Sequence, residues 1–313
     1  MTTLLVASAG GHLQELLRLL PVLEVSEDRV WVTYDGAQSR SLLRGEIVVA
    51  AHHPTTKSLV NAARNYRLAR EVFDRYQVDQ VISTGAAVAV PFMLRASQLG
   101  APCHYVESAA RVDGPSLSGR FVERLAAVHH YRQLGDWGGD RWLTGPCVFD
   151  GVEVGHRPDA PDAVDRIVVS LGTHNFPFDA LVDRLHELIP STTDVLWQLG
   201  STKPRVDLPG SVVSRLAADR LGEAIAGADV VVGHAGVGLT LTVLAAGKVP
   251  VLVPRRHARR EHTDDHQAQL ARVLSEMGLA VTAEVEDLSF EHLERAAALA
   301  AMVREPTAFA LAE

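Results

Sequence analysis

The sequence predicts an α/β protein of two doubly wound, Rossmann-like domains facing across a cleft, and three observations support it. Short apolar runs alternate with segments long enough for helices, which is how a parallel sheet with helices on both faces reads. Glycine-rich turns close several of these runs, at the carboxyl edge where such sheets bind ligands. The alternation breaks once, over 145–165, where Pro146, Gly151, Gly155, Pro158 and Pro161 mix with acidic residues, and then restarts. Domains over 1–150 and 151–313 follow, with a linker over 146–165 and a last helix expected to pack back on the first domain.

In the first half, residues 4–7, 30–34, 47–50, 80–83, 103–106 and 127–131 read as strands. The first strand runs into Ser8-Ala9-Gly10-Gly11-His12 and then an amphipathic helix over 13–20, stopped by Pro21. The dinucleotide pattern G-x-G-x-x-G is missing here, which argues against a nicotinamide-dependent oxidoreductase. His12 sits at a helix start, where the positive dipole end favours a neutral imidazole, and reads either as a base or as a packing residue of the turn. The strands over 80–83 and 103–106 end in Thr84-Gly85-Ala86-Ala87 and Glu107-Ser108-Ala109-Ala110-Arg111. The three turns share one sheet edge, so His12, Gly85, Glu107, Ser108 and Arg111 are candidates for one pocket. Glu107 and Arg111 read equally well as a structural ion pair.

Between these turns, the helical stretch over 57–76 carries five cations, Lys57, Arg64, Arg67, Arg70 and Arg75, against Glu71 and Asp74. A solvated helix face accounts for them, and so does contact with an anionic bilayer.

In the second half, strands are expected over 166–171, 195–199, 212–215, 230–232, 249–253 and 280–282. They close in Gly172-Thr173-His174, in Gly200, and in Gly233-His234-Ala235-Gly236-Val237-Gly238. The last of these opens a helix, whose unpaired N–H groups and dipole suit a diphosphate. A polar loop then ends in Asp265-His266-Gln267, side chains suited to sugar hydroxyls.

Composition narrows the classes. A chain of 313 residues, 47% hydrophobic, buries two cores of domain size. A net charge of −8 argues against a nucleic-acid partner. Cys103 and Cys147 alone make no disulfide framework, as expected of a cytoplasmic chain. The N-terminus shows no signal peptide or spanning segment.

Taken together, the motifs resemble those of the MurG-like inverting glycosyltransferases of GT-B fold. The closest likeness is to a fusion of the two-subunit sugar transferases of the dolichol pathway and of bacterial exopolysaccharide assembly. The first half resembles the acceptor-side, membrane-recruiting subunit through Gly10-Gly11-His12-Leu13-x-Glu15, Ser83-Thr84-Gly85, Tyr105-Val106-Glu107-Ser108-x-x-Arg111 and Ser116-Leu117-Ser118-Gly119. The second resembles the donor-side subunit through Ser170-Leu171-Gly172-Thr173-His174, Gln198-Leu199-Gly200, His234-Ala235-Gly236-x-Gly238, Val253-Pro254-Arg255 and His266-Gln267-x-x-Leu270. The resemblance covers nearly the whole chain.

It implies transfer of a hexose or N-acetylhexosamine from a UDP-sugar, with inversion, to a hydroxyl of a polyprenyl-diphosphate-linked or other saccharide at the inner face of the membrane. No cofactor and no obligatory metal are implied. The acceptor falls to Gly10, Gly11, Gly85, Ser108 and Arg111. The donor falls to Gly172, Thr173, His174, Gly200, His234, Ala235, Gly236, Val237, Gly238, Thr240, Thr242, Arg255, Asp265, His266 and Gln267. Two positions depart from the pattern: Thr242 stands where a ribose-binding Glu is usual, and Ala86 where Pro is usual. His257, His262 and His266 with Asp264 and Asp265 imitate a metal site, but no H-E-x-x-H spacing occurs, and the metal set is expected to be empty.

A one-step inversion needs a base on the acceptor side. His12 fits by its ordinary pKa, with Glu107 as the alternate or as the group that orients it. Two other classes are weighed against this enzyme. A UDP-sugar 2-epimerase needs acidic groups around the sugar, in which these loops are poor, and a noncatalytic sugar-nucleotide-binding subunit is suggested by Thr242.

Overall fold

The near-continuous apolar runs do become parallel strands, buried on both faces in the middle of each sheet and more exposed at the edge strands Ile47–Ala50 and Ser211–Val213. The structure is a computed structural model and describes residues 1–23, 25–53, 58–125, 127–172 and 175–312. It divides into two units, Met1–Asp150 together with the chain from Pro306 on, and Gly151–Glu305.

The first unit runs β1 (Thr2–Val6), α1 (Gly11–Leu19), β2 (Arg29–Thr33), α2 (Ala37–Leu42), β3 (Ile47–Ala50), α3 (Leu59–Tyr76), β4 (Val78–Ser83), α4 (Ala89–Leu99), β5 (Cys103–Val106), α5 (Leu117–Val122), β6 (Val128–Arg132) and β7 (Trp142–Thr144). Its parallel sheet has the order β3-β2-β1-β4-β5-β6-β7. Leu4, Leu5 and Val6 of the central strand are fully buried, as is Phe92 of α4. Helix α3 buries Asn65, Ala69, Val72 and Phe73, one stripe at helical spacing, and turns its arginines outward. It starts at the Ser58 cap, whose Oγ accepts from Asn61 N at 3.3 Å; Lys57 lies outside the described residues.

The second unit runs β8 (Val152–His156), β9 (Arg166–Ser170), α6 (Asp179–Leu188), β10 (Asp194–Gln198), β11 (Ser211–Val213), α7 (Ala218–Gly227), β12 (Val230–His234), α8 (Val237–Ala245), β13 (Val251–Val253), α9 (His266–Glu276), β14 (Val281–Thr282), α10 (Phe290–Ala297) and β15 (Leu299–Val303). Its parallel sheet has the order β11-β10-β9-β12-β13-β14.

Both sheets reverse their winding at one point, between β1 and β4 in the first and between β9 and β12 in the second. At such a point the loops leave in opposite directions and open a crevice. The turns that follow those four strands carry His12, Thr84-Gly85, Gly172 and Gly236.

Two expectations need correction. The stretch over 146–165 is not simply a linker, because it contains β8, which pairs antiparallel with β15. β8 (VEVGH) is not continuously apolar, β15 (LAAMV) runs straight on from the alanine-rich end of α10, and each waits for a partner distant in sequence, so no local pattern marks them as strands. The last helix, α10, packs on β12, β13 and β14 in the second unit and does not join the first. It is the irregular chain beyond it that returns: Phe309 N donates to Val22 O at 2.8 Å, and Ala312 N to the Tyr131 hydroxyl at 2.8 Å.

Candidate active site

In the first unit, Gly10 (φ +96°) caps α1 without a side-chain hydrogen bond, and Gly11 opens the helix. The His12 ring sits among protein atoms while keeping some exposure. Its Nδ1 lies 2.8 Å from Thr84 O, and the Thr84 hydroxyl donates back to His12 O at 2.7 Å. A carbonyl only accepts, so Nδ1 carries the proton and the neutral ring leaves its lone pair on Nε2. Burial lowers the His12 pKa below 6.5, opposed by the Thr84 carbonyl and by Glu107. The neutral form anticipated from the helix dipole is thus mainly a consequence of desolvation.

Gly85 (φ +106°) lies against this ring: a Cβ there would come 3.5 Å from His12 Cε1 and 3.0 Å from the Tyr105 hydroxyl. Ala86 follows at φ +66°, which a proline ring forbids, so the departure from the family residue changes the backbone of this turn.

Glu107 does not reach out to a ligand. It is fully buried; Oε2 accepts from Ser116 N at 2.8 Å and Ser116 Oγ at 2.9 Å, and Oε1 from Ser108 N at 3.2 Å. Burial raises its pKa, against these bonds and the nearby His12. A Cβ on Gly119 would come 2.3 Å from Oε2, so only glycine lets α5 seat on the carboxylate. Ser108, expected at the acceptor, is also buried and donates to Glu15 Oε1 at 2.7 Å. Arg111 remains half-exposed. Sequence reasoning missed Gln133: its Nε2 donates to Glu15 Oε2 at 2.8 Å and to Glu107 O at 3.0 Å. Its only signal is a polar residue directly after a strand.

In the second unit two glycines close on one imidazole, and a third packs behind them. A Cβ on Gly172 would meet His234 Cε1 at 2.5 Å, and one on Gly236 would meet His234 Nε2 at 2.4 Å. Gly200 packs on Gly172, where a Cβ would lie 2.4 Å from the carbonyl oxygen. Gly236 is the N-cap of α8, and no side chain occupies its first-turn amides. Ala235 and Val237 are buried, so only their backbone can face a ligand. Thr240, expected at the donor, is fully buried and donates to Gly236 O at 3.0 Å, which removes it from the site. Thr242 is half-buried and donates to Gly238 O at 2.9 Å, so toward a ligand its hydroxyl acts as an acceptor. Thr173 and His174 lie outside the described residues.

Arg255 is buried at 1% exposure, over the Phe178 ring at 5.1 Å. Its Nη2 donates to Leu171 O at 3.1 Å, while Nε and Nη1 have no hydrogen-bond partner among the described residues. Burial pulls its pKa down to about 10, which still leaves it a cation at neutral pH. Gln267 is not a free sugar ligand: it is buried, and its Oε1 accepts from Arg255 N at 3.1 Å. Gln267→Leu should therefore lower stability by about 1–3 kcal/mol, the cost of an orphaned buried N–H. An unchanged melting temperature would show that this carboxamide is not structural. Asp265 is exposed and accepts from His257 N at 2.9 Å. His266 Nδ1 is hydrogen-bonded to Asp264 Oδ1, which orients its ring. His262, Asp264 and His266 bring one donor atom each within 4.8 Å of one another.

Comparison with known proteins bears on both units. Residues 166–306 match the Glycosyltransferase family 28 C-terminal domain. The UDP-N-acetylglucosamine–N-acetylmuramyl-(pentapeptide) pyrophosphoryl-undecaprenol N-acetylglucosamine transferase of Idiomarina loihiensis is 28% identical over 90% of this chain and 84% of its own. The chain is a glycosyltransferase of GT-B fold. Its counterpart in Salinibacter ruber is 26% identical over 91% of this chain and 84% of its own. Among solved structures, MurG of Acinetobacter baumannii superposes with a TM-score of 0.56 at 18% identity, covering 94% of this chain and 89% of that one. The glycosyltransferase of kitacinnamycin superposes at 0.60 and 16% identity, with 94% and 89% covered. These likenesses place the fold of this glycosyltransferase.

Proposed function

We propose that this glycosyltransferase moves a hexose or N-acetylhexosamine from a UDP-sugar held by the second unit to a hydroxyl of a polyprenyl-diphosphate-linked acceptor on the first, with inversion. N-Acetylglucosamine is the first donor sugar to test, because the relatives are named for its transfer to pyrophosphoryl-undecaprenol. The observation that carries the reading is the glycine cradle at the uncapped start of α8, within the matched family domain. First-turn amides and the helix dipole there meet the diphosphate. The buried Arg255 cation adds positive potential beneath it through a low-dielectric interior.

On the acceptor side His12 Nε2 takes the hydroxyl proton as the oxygen attacks the anomeric carbon. The bond from that carbon to the UDP oxygen breaks with its electron pair, leaving UDP and an inverted product. Glu107, locked under Ser116 and Ser108, shapes the turn beside His12 and does not act as the base. This scheme assigns the leaving-group charge to the protein itself, so chelation by EDTA should leave turnover unchanged.

Incubation with UDP-sugars tests the reading. UDP release that depends on acceptor, with an inverted anomeric proton signal in the product, supports it. Epimer formation without acceptor, or binding without turnover, would replace it with a 2-epimerase or a binding subunit.

The partner that presents such an acceptor is a membrane. Among the described residues no helix is long and apolar enough to cross one. The outer face of α3 carries Arg64, Arg67, Arg70 and Arg75 behind Leu59 and Val60, which are 89% and 63% exposed. We place the inner leaflet there: each arginine near an anionic surface contributes about 1 kcal/mol, and the two apolar side chains insert. The protein should float with vesicles of 30% phosphatidylglycerol in phosphatidylcholine and not with phosphatidylcholine alone, and Leu59→Glu with Val60→Glu should abolish flotation. Equal flotation by that variant would remove α3 from the contact.

A further inference from the structure

One buried carboxyl has no part in the scheme above. Glu15 lies one turn after His12 on α1 and is 1% exposed. Its Oε1 takes the Ser108 hydroxyl at 2.7 Å, and its Oε2 takes Ala109 N at 2.9 Å and Gln133 Nε2 at 2.8 Å. It thus ties the helix that bears His12 to the turn after β5 and to the end of β6. Through Gln133 it reaches the Glu107 carbonyl and Val148 N, the latter donating to Gln133 Oε1 at 2.9 Å.

We infer that Glu15 is a positioning residue of the glycosyl-transfer site, and that its ionised carboxylate holds the Ser108 hydroxyl inward and so sets the turn that flanks His12. The inference rests on the glycosyltransferase reading of this site. Its chemistry follows from which partners can reverse. Ala109 N–H and the Gln133 amide only donate, so Oε2 cannot carry a proton. A proton on Glu15 must sit on Oε1 and point at Ser108 Oγ, which then becomes the acceptor. That oxygen already accepts from Ala110 N at 3.2 Å, so the Ser108 hydrogen swings out of the network.

Burial, against these three donors, raises Glu15 to about 7, so both states are populated near neutrality. The titratable groups around it do not compete for that proton. From β5 and its end come Tyr105, held far above 10, and Glu107, itself raised and already bonded to Ser116. From the chain after β7 comes Cys147, pushed to about 12. On α1 itself stand His12, turned to Thr84, and Arg18, whose Nη2 donates to Asp150 O at 3.3 Å.

Glu15→Gln imitates the protonated state, because its amide group can face Ser108 while its oxygen serves Ala109 and Gln133. It should fold, bind UDP with wild-type affinity, and turn over about ten- to a hundredfold more slowly, the effect of a small misplacement beside the reacting atoms. The wild-type acid limb should bend near pH 7 and again below 6.5, the latter from His12. In Glu15→Gln, and in Ser108→Ala, the bend near 7 should vanish. An unchanged bend in an active Glu15→Gln enzyme overturns the inference. The amide shift of Ala109, followed by NMR against pH, reads the same event without turnover. A midpoint near 7 in the wild type that is lost in Glu15→Gln upholds the control of this turn by Glu15 even if no UDP-sugar is turned over, in which case the glycosyltransferase reading fails and takes with it only the reaction that the turn serves. A flat titration overturns it.

Discussion

His12→Ala is expected to lower turnover by about a hundredfold to ten-thousandfold, the usual worth of a positioned general base. UDP affinity should stay at the wild-type value, because the residue stands in the first unit and the proposed nucleotide site in the second. The size of the effect rests on the tautomer. With Nδ1 donating to Thr84 O, the ring presents Nε2 as its one basic atom, and burial keeps that atom unprotonated down through the region below pH 6.5. Because the folded-state pKa is depressed, the base form is present above it, and activity should fall as pH drops through that lowered value. Loss of the Thr84 bond is a separate, structural cost, so the melting temperature must be read beside the rate. If His12→Ala keeps wild-type turnover while a folded Glu107→Gln loses it, the base is Glu107 and the assignment made from geometry is wrong.

Gly238→Asp is expected to weaken UDP binding by about fivefold to a thousandfold, from like-charge repulsion of about 1–4 kcal/mol at contact distance. The substitution is chosen because its effects on fold and ligand have opposite sign. Gly238 is in the first turn of α8, outside the positive-φ region, and the N-cap offers no side-chain acceptor of its own. A carboxylate there complements the helix dipole by about 0.3–1 kcal/mol, so the domain should melt no earlier than wild type. Lost UDP affinity in a protein at least as stable can only come from the anion site. Gly236 is unsuited to the same test, since any side chain there strikes His234 before it meets a ligand. Wild-type UDP affinity in Gly238→Asp would move the diphosphate away from α8.

What the sequence determined by itself is the layout. Apolar runs such as Leu4 to Val6 and Val230 to Val232 are buried on both faces, which leaves no reading but parallel strands, and the strand ends came within a residue or two of the observed ones. The turns at the strand edges were equally legible, because Gly85, Gly172 and Gly200 adopt positive φ and Gly236 abuts an imidazole where a Cβ does not fit. Only the tertiary structure decided which of the polar residues on those turns face outward. Glu107, Ser108, Thr240 and Gln267 read as ligands from their positions after strands, yet each is buried and spends its hydrogen bonds on the protein. Gln133 and Glu15, bonded to each other across the fold, gave no local sign of it. The physical reason is range. Burial of an apolar run and the φ of a glycine are dictated by neighbours in sequence, whereas the partner of a buried polar group comes from any strand end the sheet brings to the same edge.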